Sequence, residues 1–267
     1  MDDIYLLMKI YVSYDENKEC SKKSMKILEK TCSKLDITLT EDINKADIVF
    51  SIGGDGTLLE TSRISYQHPL IGINCGTLGY LTDVKPEEIE EALKNLKDGN
   101  YYIEERMMLE GEIIRENKEK ISIPPSLNDI FISKNTFGVI RFDTIIDDKL
   151  INSYTADGII VCTPTGSTAY NLSCGGPIVD PTADIITVTP IAAHTLMNRS
   201  IIISNKSVIQ IKITQLRGNT KSYVLHDGKE IEISVGDTVK VYKSSKKTKL
   251  VKFTKQSFID TIRKNIK

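Results

Sequence analysis

The sequence predicts an α/β amino-terminal domain with a parallel sheet, followed by a mostly β, sandwich-like domain. Up to about residue 100, apolar runs of strand length alternate with segments of helical periodicity, which is typical of a parallel sheet covered by helices. After Tyr101 the chain changes to many short runs rich in Ile and Val, separated by turn residues. Near the carboxyl terminus, Phe258, Ile259 and Ile262 have helical spacing, and we expect this helix to pack back on the first domain.

The first domain is predicted to alternate strands and helices. Its strands are predicted at Tyr5 to Val12, Ile48 to Ile52 and Leu70 to Ile73, and its helices at Glu19 to Leu35, Leu58 to Tyr66 and Pro86 to Lys97. Ligands bind such sheets beyond the carboxyl ends of the strands. We therefore expect a site where the second strand ends.

The second domain is predicted to consist of short strands joined by turns. They are predicted at Arg106 to Arg115, Asp129 to Ser133, Val139 to Ile146, Ile159 to Cys162, Ile185 to Thr189, Ser200 to Ile203, Val208 to Ile213, Ser222 to Leu225 and Thr238 to Tyr242. Asp227-Gly228 and Val235-Gly236-Asp237 fit hairpin turns. The predicted domains are residues 1–100, with 256–267 returning to them, and residues 101–255.

Composition restricts the class of protein. A chain of 267 residues that is 40% hydrophobic can bury a large core. The formal net charge is -1, from 35 basic and 36 acidic residues, so no overall field favours nucleic acid or a membrane surface. The start Met1-Asp2-Asp3 lacks the basic character of a signal peptide, and five cysteines without a Cys-x-x-Cys pair favour reduced thiols. We expect a cytoplasmic protein that binds neither nucleic acid nor membrane.

The first glycine-rich segment is Gly53-Gly54-Asp55-Gly56-Thr57, between a predicted strand and a predicted helix. Glycines let the backbone approach an anion, the first N–H groups of a helix face it, and Thr57 is predicted as the N-cap. Asp55 would repel phosphate unless it binds a divalent cation or accepts a proton from an attacking hydroxyl. The alternative is a tight turn in which Asp55 bonds its own backbone.

The second glycine-rich segment runs from Thr163 to Tyr170, with the sequence TPTGSTAY. Its small and hydroxylated residues, with one aromatic ring, favour a pocket for a base and a ribose. The alternative is that the segment only leaves a strand and that Ser167 caps the helix that follows. Two such segments in one chain favour a nucleotide site over two unrelated turns.

In order along the chain, GGDGT, GINCGTLGYLTDV, ND, TADG and TPTGSTAYNLSCGGP resemble the motifs of an NAD kinase, over about Ile48 to Arg199. The resemblance implies phosphoryl transfer from ATP, or in some members polyphosphate, to the 2′-hydroxyl of the adenosine ribose of NAD, giving NADP. It also implies two domains, a divalent cation such as Mg²⁺, and a homodimer or homotetramer. By position, Asp55 matches the catalytic aspartate, beside the nucleotide-binding residues Gly53, Gly54, Gly56 and Thr57. The matched dinucleotide-binding residues are Asn128, Asp129, Asp157, Thr168, Ala169, Tyr170 and Ser173.

Some residues depart from the family pattern. Asp129 stands where the family usually has Glu, Thr155 where relatives often have Arg, and Ser200 where they often have Pro. The shorter Asp129 side chain would reach a ribose hydroxyl through water or with a shifted sugar. Whether Asp55 acts as base or as metal anchor is open at this stage, and the sequence assigns no other metal ligand.

Three other classes share part of this pattern. A lipid kinase of the diacylglycerol or sphingosine type has a GGDGT-like loop, but TPTGSTAYNLSCGGP is not expected there. A phosphofructokinase would be larger and would have an Arg-rich sugar-phosphate site, and this chain shows no such cluster. A regulatory module that binds NAD or NADP without turnover would have little use for a carboxylate beside phosphates.

Overall fold

The computed structural model describes residues 8–76, 79–135, 138–218, 220–254 and 257–265. These divide into two units. The first comprises the described residues up to Glu105 and from Thr248 onward, and the second comprises Arg106–Lys247. The division into domains predicted from the sequence, 1–100 with 256–267 and 101–255, remains a prediction.

The first unit is built on a parallel sheet. Its strands are β1 (Lys9–Tyr14), β2 (Thr38–Leu39), β3 (Ile48–Gly53) and β4 (Pro69–Asn74), in the order β2-β1-β3-β4. The end of a long strand, β16 (Thr238–Lys252), pairs in parallel with β4 through Lys249 and Leu250. The helices are α1 (Glu19–Lys34), α2 (Asp55–Ser65) and α3 (Ile89–Lys97), and the terminal helix Phe258–Asn265 belongs to the same unit.

The core of the first unit explains this alternation of elements. All six residues of β3 are buried, as expected for a central strand that is covered on both faces. Phe50 on β3 and Leu28 on α1 belong to one buried apolar cluster, to which Leu93 on α3 also belongs. Burial of such side chains stabilises the unit by about 25 cal/mol per Å² of apolar surface removed from water.

The second unit contains two sheets. One is antiparallel throughout, in the order β12-β11-β10-β7-β14-β15, and the other includes β5 from Arg106 onward, β6, β8, β9, β13 and the first part of β16. The bounds are β5 (Tyr102–Ile114), β6 (Lys120–Ser126), β7 (Asp129–Lys134), β8 (Ile140–Ile146), β9 (Lys149–Ala156), β10 (Gly158–Cys162), β11 (Ile185–Ile191), β12 (Ile201–Ser204), β13 (Ile209–Leu216), β14 (Ser222–His226) and β15 (Lys229–Ile233). A single helical turn, α4 (Tyr170–Ser173), follows β10.

The two sheets of the second unit pack face to face. Phe142 on β8 and Val239 on β16 belong to the same buried cluster as Ile132 on β7 and Ile159 on β10. Side chains from both sheets therefore form one core, which is the arrangement of a sandwich. The predicted fold class, a parallel α/β part followed by a mostly β part, is confirmed.

Several details differ from the prediction. Strands β6, β9 and β15 were not predicted, because β6 includes Pro124-Pro125 and the other two contain many polar residues. Strand β16 continues to Lys252, beyond the predicted end at Tyr242, and pairs with β13 as well as with β4. The first three residues of the predicted strand Tyr5 to Val12 lie outside the described residues.

The turn predictions have different outcomes. Asp227 and Gly228 join β14 to β15 as a hairpin, and both have positive φ angles, 41° and 85°. This is the backbone conformation that a two-residue hairpin of type I′ requires. The second predicted hairpin, at Val235 to Asp237, is wrong, because β15 and β16 belong to different sheets.

The helices in the described part of the chain were compared with the requirements for crossing a membrane. None of the helices there combines the length and the apolar character that a membrane crossing requires.

Candidate active site

Asp55 lies where β3 turns into α2. Gly54 is the N-cap of α2, and Asp55 is its first residue. The prediction that Thr57 caps this helix is wrong, because the helix begins two residues earlier and Thr57 lies inside its first turn. A Cβ atom at Gly53 would come 2.2 Å from the Thr57 Oγ1 atom, so Gly53 is needed for packing. A carboxylate at a helix start also interacts favourably with the helix dipole.

The Asp55 carboxylate is held by the segment that follows β4. Its Oδ2 atom accepts a hydrogen bond from the Tyr80 amide at 2.8 Å. Its Oδ1 atom accepts from the Leu81 amide and from both the amide and the hydroxyl of Thr82, at 3.2–3.3 Å. These four donors fix the direction of the carboxylate. Among the residues that the structure describes, Oδ2 accepts from one donor, so this oxygen retains capacity for a further partner.

Gly79 is required for this arrangement. A Cβ atom at this position would come 2.2 Å from Asp55 Oδ1, which the carboxylate could not avoid without leaving its donors. The tight-turn alternative, in which Asp55 bonds only its own loop, therefore does not describe the structure. The partners of Asp55 are about 25 residues away in sequence.

Gly54 and Gly56 have a different environment from Gly53 and Gly79. Among the described residues, and apart from the chain neighbours and the backbone of the helix itself, no atom lies within 4 Å of a Cβ atom built on either residue, and Gly56 is exposed. Protein packing therefore does not require glycine at these two positions. The open backbone at the start of α2 is suited to the close approach of a phosphate.

We expect Gly56→Ala to separate ligand binding from stability. Alanine favours a helix over glycine by up to about 1 kcal/mol, so the melting temperature should stay the same or rise. A methyl group at the start of α2 should displace a bound phosphate and raise the KM for ATP about tenfold, which corresponds to about 1.4 kcal/mol. Thermal denaturation and initial rates check both expectations, with Glu60→Ala on the same helix as control. An unchanged KM would show that phosphate does not approach Gly56.

The second glycine-rich segment has a buried first half. The Thr163 hydroxyl donates to the Leu127 carbonyl at 2.7 Å and accepts from the Gly166 amide at 3.0 Å. The Ser167 hydroxyl bonds the backbone of Val179 rather than capping a following helix. These hydroxyl groups hold the segment together, and they are not available to line a pocket as the sequence interpretation assumed.

The second half of the segment is accessible. Thr168 and Ala169 are half-buried, and Tyr170 and Ser173 are exposed. The Tyr170 ring lies 5.0 Å from the Phe131 ring between centroids, at an interplanar angle of 56°. Burial is the largest cause that raises the pKa of Tyr170, although the ring remains 39% exposed. The Tyr170 ring thus contacts Phe131 and is otherwise partly open to solvent, so it can support a ligand.

Asn128 and Asp129 lie beside this segment. The Asn128 carbonyl accepts from the Thr163 amide at 2.9 Å, and a Cβ atom at Gly166 would come 2.1 Å from that carbonyl oxygen. Asp129 is the first residue of β7 and pairs with Cys162 on β10. Strand pairing and close packing therefore bring Asn128 and Asp129 next to the TPTGSTAY segment. The order of the motifs along the chain could not show this proximity.

Asp129 is a buried carboxyl group. It is 5% exposed, and burial raises its pKa from 3.8 to about 7, with a further contribution from the charge of Asp227. The Asp227 side chain also lies at the start of β7, where its carboxylate accepts hydrogen bonds from the Leu127 and Asn128 amides at 2.8 and 3.4 Å.

We expect the Asp129 carboxyl to make stability fall as pH rises. Its pKa is about 7 in the folded protein, above the ordinary value of 3.8, so the unfolded chain loses this proton at a lower pH than the folded protein does. The free energy of unfolding therefore falls as the pH rises from 3.8 to about 7. Asn cannot ionise, so Asp129→Asn removes this loss of stability. The free energy of unfolding of the variant minus that of the parent protein should be about 2–4 kcal/mol larger at pH 8 than at pH 4. Urea unfolding at both pH values checks this, with the exposed Asp148→Asn as control. Equal differences at both pH values would contradict the raised pKa.

Asp157 belongs to the same region and has a partner that the sequence did not reveal. Its Oδ1 atom lies 2.6 Å from the Lys134 ammonium, and Asp157 and Asp129 both act electrostatically on Tyr170. Arg106 is a second missed residue: it is 6% exposed and donates to the Thr165 hydroxyl at 3.2 Å. No local sequence pattern marks a lysine at the end of a strand, or an arginine within one, as part of a site.

A metal site made by protein side chains alone is absent from the described ranges. There, no group of three or more His, Cys, Asp or Glu side chains is arranged to hold a metal ion. Asp55, with acceptor capacity left on Oδ2, fits a cation that is shared with substrate phosphates, which is the usual way Mg²⁺ is bound.

The comparisons with known proteins identify the family. The ATP-NAD kinase N-terminal domain matches residues 7–101, and the ATP-NAD kinase C-terminal domain matches residues 127–253. The NAD kinase of Ruminiclostridium cellulolyticum is 37% identical over 235 residues, which is 87% of this chain and 82% of the relative. The chain belongs to the NAD kinase family. The NAD kinase of Caldicellulosiruptor saccharolyticus is 38% identical over 262 residues, which covers 94% of this chain and 96% of the relative.

Solved structures of NAD kinases and NADH kinases have the same fold. Yeast NADH kinase complexed with NADH matches with a TM-score of 0.89 at 24% identity, over 97% of this chain and 87% of that chain. An NAD kinase from Archaeoglobus fulgidus in complex with ATP matches with a TM-score of 0.77 at 24% identity, over 96% and 99%. The family, the fold and the kinase activity predicted from the sequence are confirmed, whereas the assignment of single site residues is not tested by these comparisons.

Proposed function

We propose that this NAD kinase transfers the terminal phosphoryl group of ATP to the 2′-hydroxyl of the adenosine ribose of NAD, with Asp55 as its catalytic residue. The new bond joins the ribose oxygen to phosphorus, the bond from phosphorus to the bridging oxygen breaks, and the products are NADP, ADP and the hydroxyl proton. The observation that supports this most strongly is the fixed Asp55 carboxylate at the glycine-rich start of α2.

The proposed role of Asp55 follows from its two oxygens. In the described part of the chain, Oδ1 accepts from three donors and Oδ2 from one, so Oδ2 is the oxygen that interacts with substrate. As a base, it accepts the proton of the 2′-hydroxyl; as an anchor, it fixes the phosphates through a cation. Phosphoryl transfer depends mainly on positioning and charge stabilisation, and a rigid carboxylate serves either role.

The proposed nucleotide contacts at the start of α2 are those of the backbone. Gly54 and Gly56 leave room for phosphate oxygens, and Gly53 and Thr57 fix the turn that presents them. A divalent cation such as Mg²⁺, held by Asp55 together with the phosphates, would neutralise charge on the transferred group. Polyphosphate, as a chain of phosphates, is a further donor to test.

The proposed dinucleotide contacts lie in the second unit. Tyr170 supplies an aromatic surface, Ala169 and Ser173 lie beside it, and Thr168 precedes them at the accessible end of the segment. Asn128, Asp129 and Asp157 supply acceptors for ribose hydroxyls. The Lys134 ammonium holds Asp157 in place for this role.

We also propose a cytoplasmic homodimer or homotetramer. All five cysteines are free, as is usual in a reducing compartment. Strand β12 is the last strand of its sheet, and its Ile202 is 54% exposed; Leu196 and Met197, a few residues earlier in sequence, are exposed as well. Exposed apolar residues at a sheet edge favour association. Light scattering of the purified protein measures the oligomeric state.

The activity is tested by incubating purified protein with NAD, ATP and Mg²⁺ and measuring NADP with an NADP-specific dehydrogenase. Polyphosphate, NADH and a diacylglycerol acceptor are run in parallel, and EDTA removes the cation. Formation of NADP that stops with EDTA supports the proposal. If folded protein bound NAD but produced no NADP with any donor, it would be a regulatory module instead.

A further inference from the structure

The helical turn that carries Tyr170 is too short to be stable by itself. Helix α4 has four residues, and a single turn makes too few hydrogen bonds to offset the entropy of ordering its backbone. Contacts with the rest of the second unit must therefore hold α4 in place. Asn171 is the buried residue of this turn, and its side chain supplies such contacts.

The Asn171 side chain joins three segments of the second unit. Its Nδ2 atom donates to the Ser167 carbonyl at 3.2 Å and to the Pro177 carbonyl at 3.1 Å. Its Oδ1 atom accepts from the Thr189 hydroxyl, on β11, at 2.7 Å. A Cβ atom at Gly176 would come 2.1 Å from Asn171 Oδ1, so this close packing requires glycine there. The amide therefore ties α4 to the residues before it, to the residues after it and to a central strand.

The direction of each hydrogen bond in this network is determined by its chemistry. A carbonyl oxygen only accepts, so the Asn171 nitrogen must face the two carbonyls and its oxygen must face Thr189. The Thr189 hydroxyl has one proton, which it donates to Asn171. The Ser200 hydroxyl, 2.8 Å from that of Thr189, is therefore the donor in the last bond. Ser200 stands where relatives often have proline, which has no hydroxyl, so this end of the network depends on the residue present in this chain.

We propose that Asn171 and Thr189 are positioning residues for the dinucleotide site, because they hold α4 where the Tyr170 ring can support NAD. Both side chains are buried, so they act through α4 rather than by contact with the ligand. Ser200 assists by donating to Thr189. The inference rests on the proposed role of Tyr170 and adds the residues that set the position of its ring.

Loss of the Thr189 hydroxyl should loosen α4 without leaving a cavity. Valine has nearly the shape of threonine but has no donor, so Asn171 Oδ1 would lose this bond inside the protein. A buried acceptor without a donor is costly. States in which α4 leaves its place and the Asn171 amide reaches water should therefore become more populated.

The test measures NAD affinity of the whole protein by isothermal titration calorimetry, together with initial rates at varied NAD. Thr189→Val should weaken NAD binding about three- to tenfold, less than the effect expected of Tyr170→Ala. The kcat at saturating NAD should stay within about twofold of the parent value, since the change affects binding and not the reacting groups. Thr189→Ser keeps the hydroxyl and should keep the affinity of the parent protein. Thermal denaturation shows whether each variant is folded.

Thr187→Val is the matched control. Thr187 is buried on the same strand and, two residues away, on the same face of the sheet, but the hydrogen bonds of Asn171 named above do not include its hydroxyl. It should leave NAD affinity unchanged. Without NAD, amide hydrogen exchange at Cys174 and Gly176 should be faster in Thr189→Val but not in Thr187→Val, because both amides donate to carbonyls of α4.

A double substitution separates this inference from the proposed role of Tyr170. If Thr189 acts by holding Tyr170, Thr189→Val should weaken NAD binding by less than about twofold when Tyr170 is already replaced by alanine. Weakened binding in Tyr170→Ala with normal binding in Thr189→Val would overturn the inference and leave the role of Tyr170 intact. Equal losses in Thr187→Val and Thr189→Val would overturn it as well. Normal affinity in Tyr170→Ala would contradict the role of Tyr170 itself, and hydrogen exchange would still show whether the network holds α4.

Discussion

Asp55→Asn is expected to lower kcat by about 10²- to 10⁴-fold, the usual contribution of a catalytic acid or base, with the KM for NAD nearly unchanged. The substitution keeps the shape of the side chain and removes the charge that either proposed role requires. Initial rates of NADP formation at saturating ATP and Mg²⁺ measure the effect. A variant with near-normal kcat would show that Asp55 only shapes the turn.

The structure adds a consequence for stability. An asparagine has one acceptor oxygen, so its amide nitrogen must face the donor at Tyr80 or those at Leu81 and Thr82. Loss of these hydrogen bonds should lower the free energy of unfolding by about 1–3 kcal/mol. Thermal denaturation therefore accompanies the kinetic measurement, and kinetics are measured well below the melting temperature.

Two further variants separate charge from position. Thr82→Val removes one donor to Asp55 Oδ1 but keeps the carboxylate, so its effect on kcat should be much smaller than that of Asp55→Asn. Glu60→Gln removes a carboxylate from an exposed position on the same helix and should change neither rate nor stability. Comparable losses in Thr82→Val and Asp55→Asn would indicate that the position of the carboxylate matters more than its charge.

The sequence predicted those features that depend on neighbouring residues. A strand followed by GGDGT predicts a strand-to-helix turn because glycine freedom and helix start signals are local. The same holds for Asp227-Gly228, whose positive φ angles suit a type I′ turn. Local signals therefore located Asp55 and the hairpin at the right positions.

Features that depend on distant partners were not predictable. Tyr80 and Thr82 hold Asp55 from beyond the next strand, and Lys134 pairs with Asp157 from a neighbouring strand. The start of α2 was placed three residues late because Asp55 was treated as part of the loop, whereas it begins the helix. Buried hydroxyl groups were mistaken for pocket groups because sequence does not show which way a Thr or Ser side chain points.

Tyr170 is the aromatic residue on which the proposed dinucleotide site depends. It contacts Phe131 at 5.0 Å between ring centroids and is still 39% exposed. A residue that belonged only to the core would be more fully buried, and a freely exposed tyrosine would lack a ring beneath it. The arrangement fits a platform that is supported on one side and open on the other.

Tyr170→Ala should raise the KM for NAD about tenfold or more, because loss of stacking on an aromatic ring weakens binding by about 1–3 kcal/mol per base. Tyr170→Phe keeps the ring and should change the KM little, which separates stacking from any contact of the phenol hydroxyl. Loss of the Phe131 contact should lower stability by only about 0.5–1.5 kcal/mol. Initial rates with varied NAD and thermal denaturation of both variants distinguish the two roles. If Tyr170→Ala melted far below the parent protein but kept its KM for NAD, the ring would belong to the core and the stacking role would be wrong.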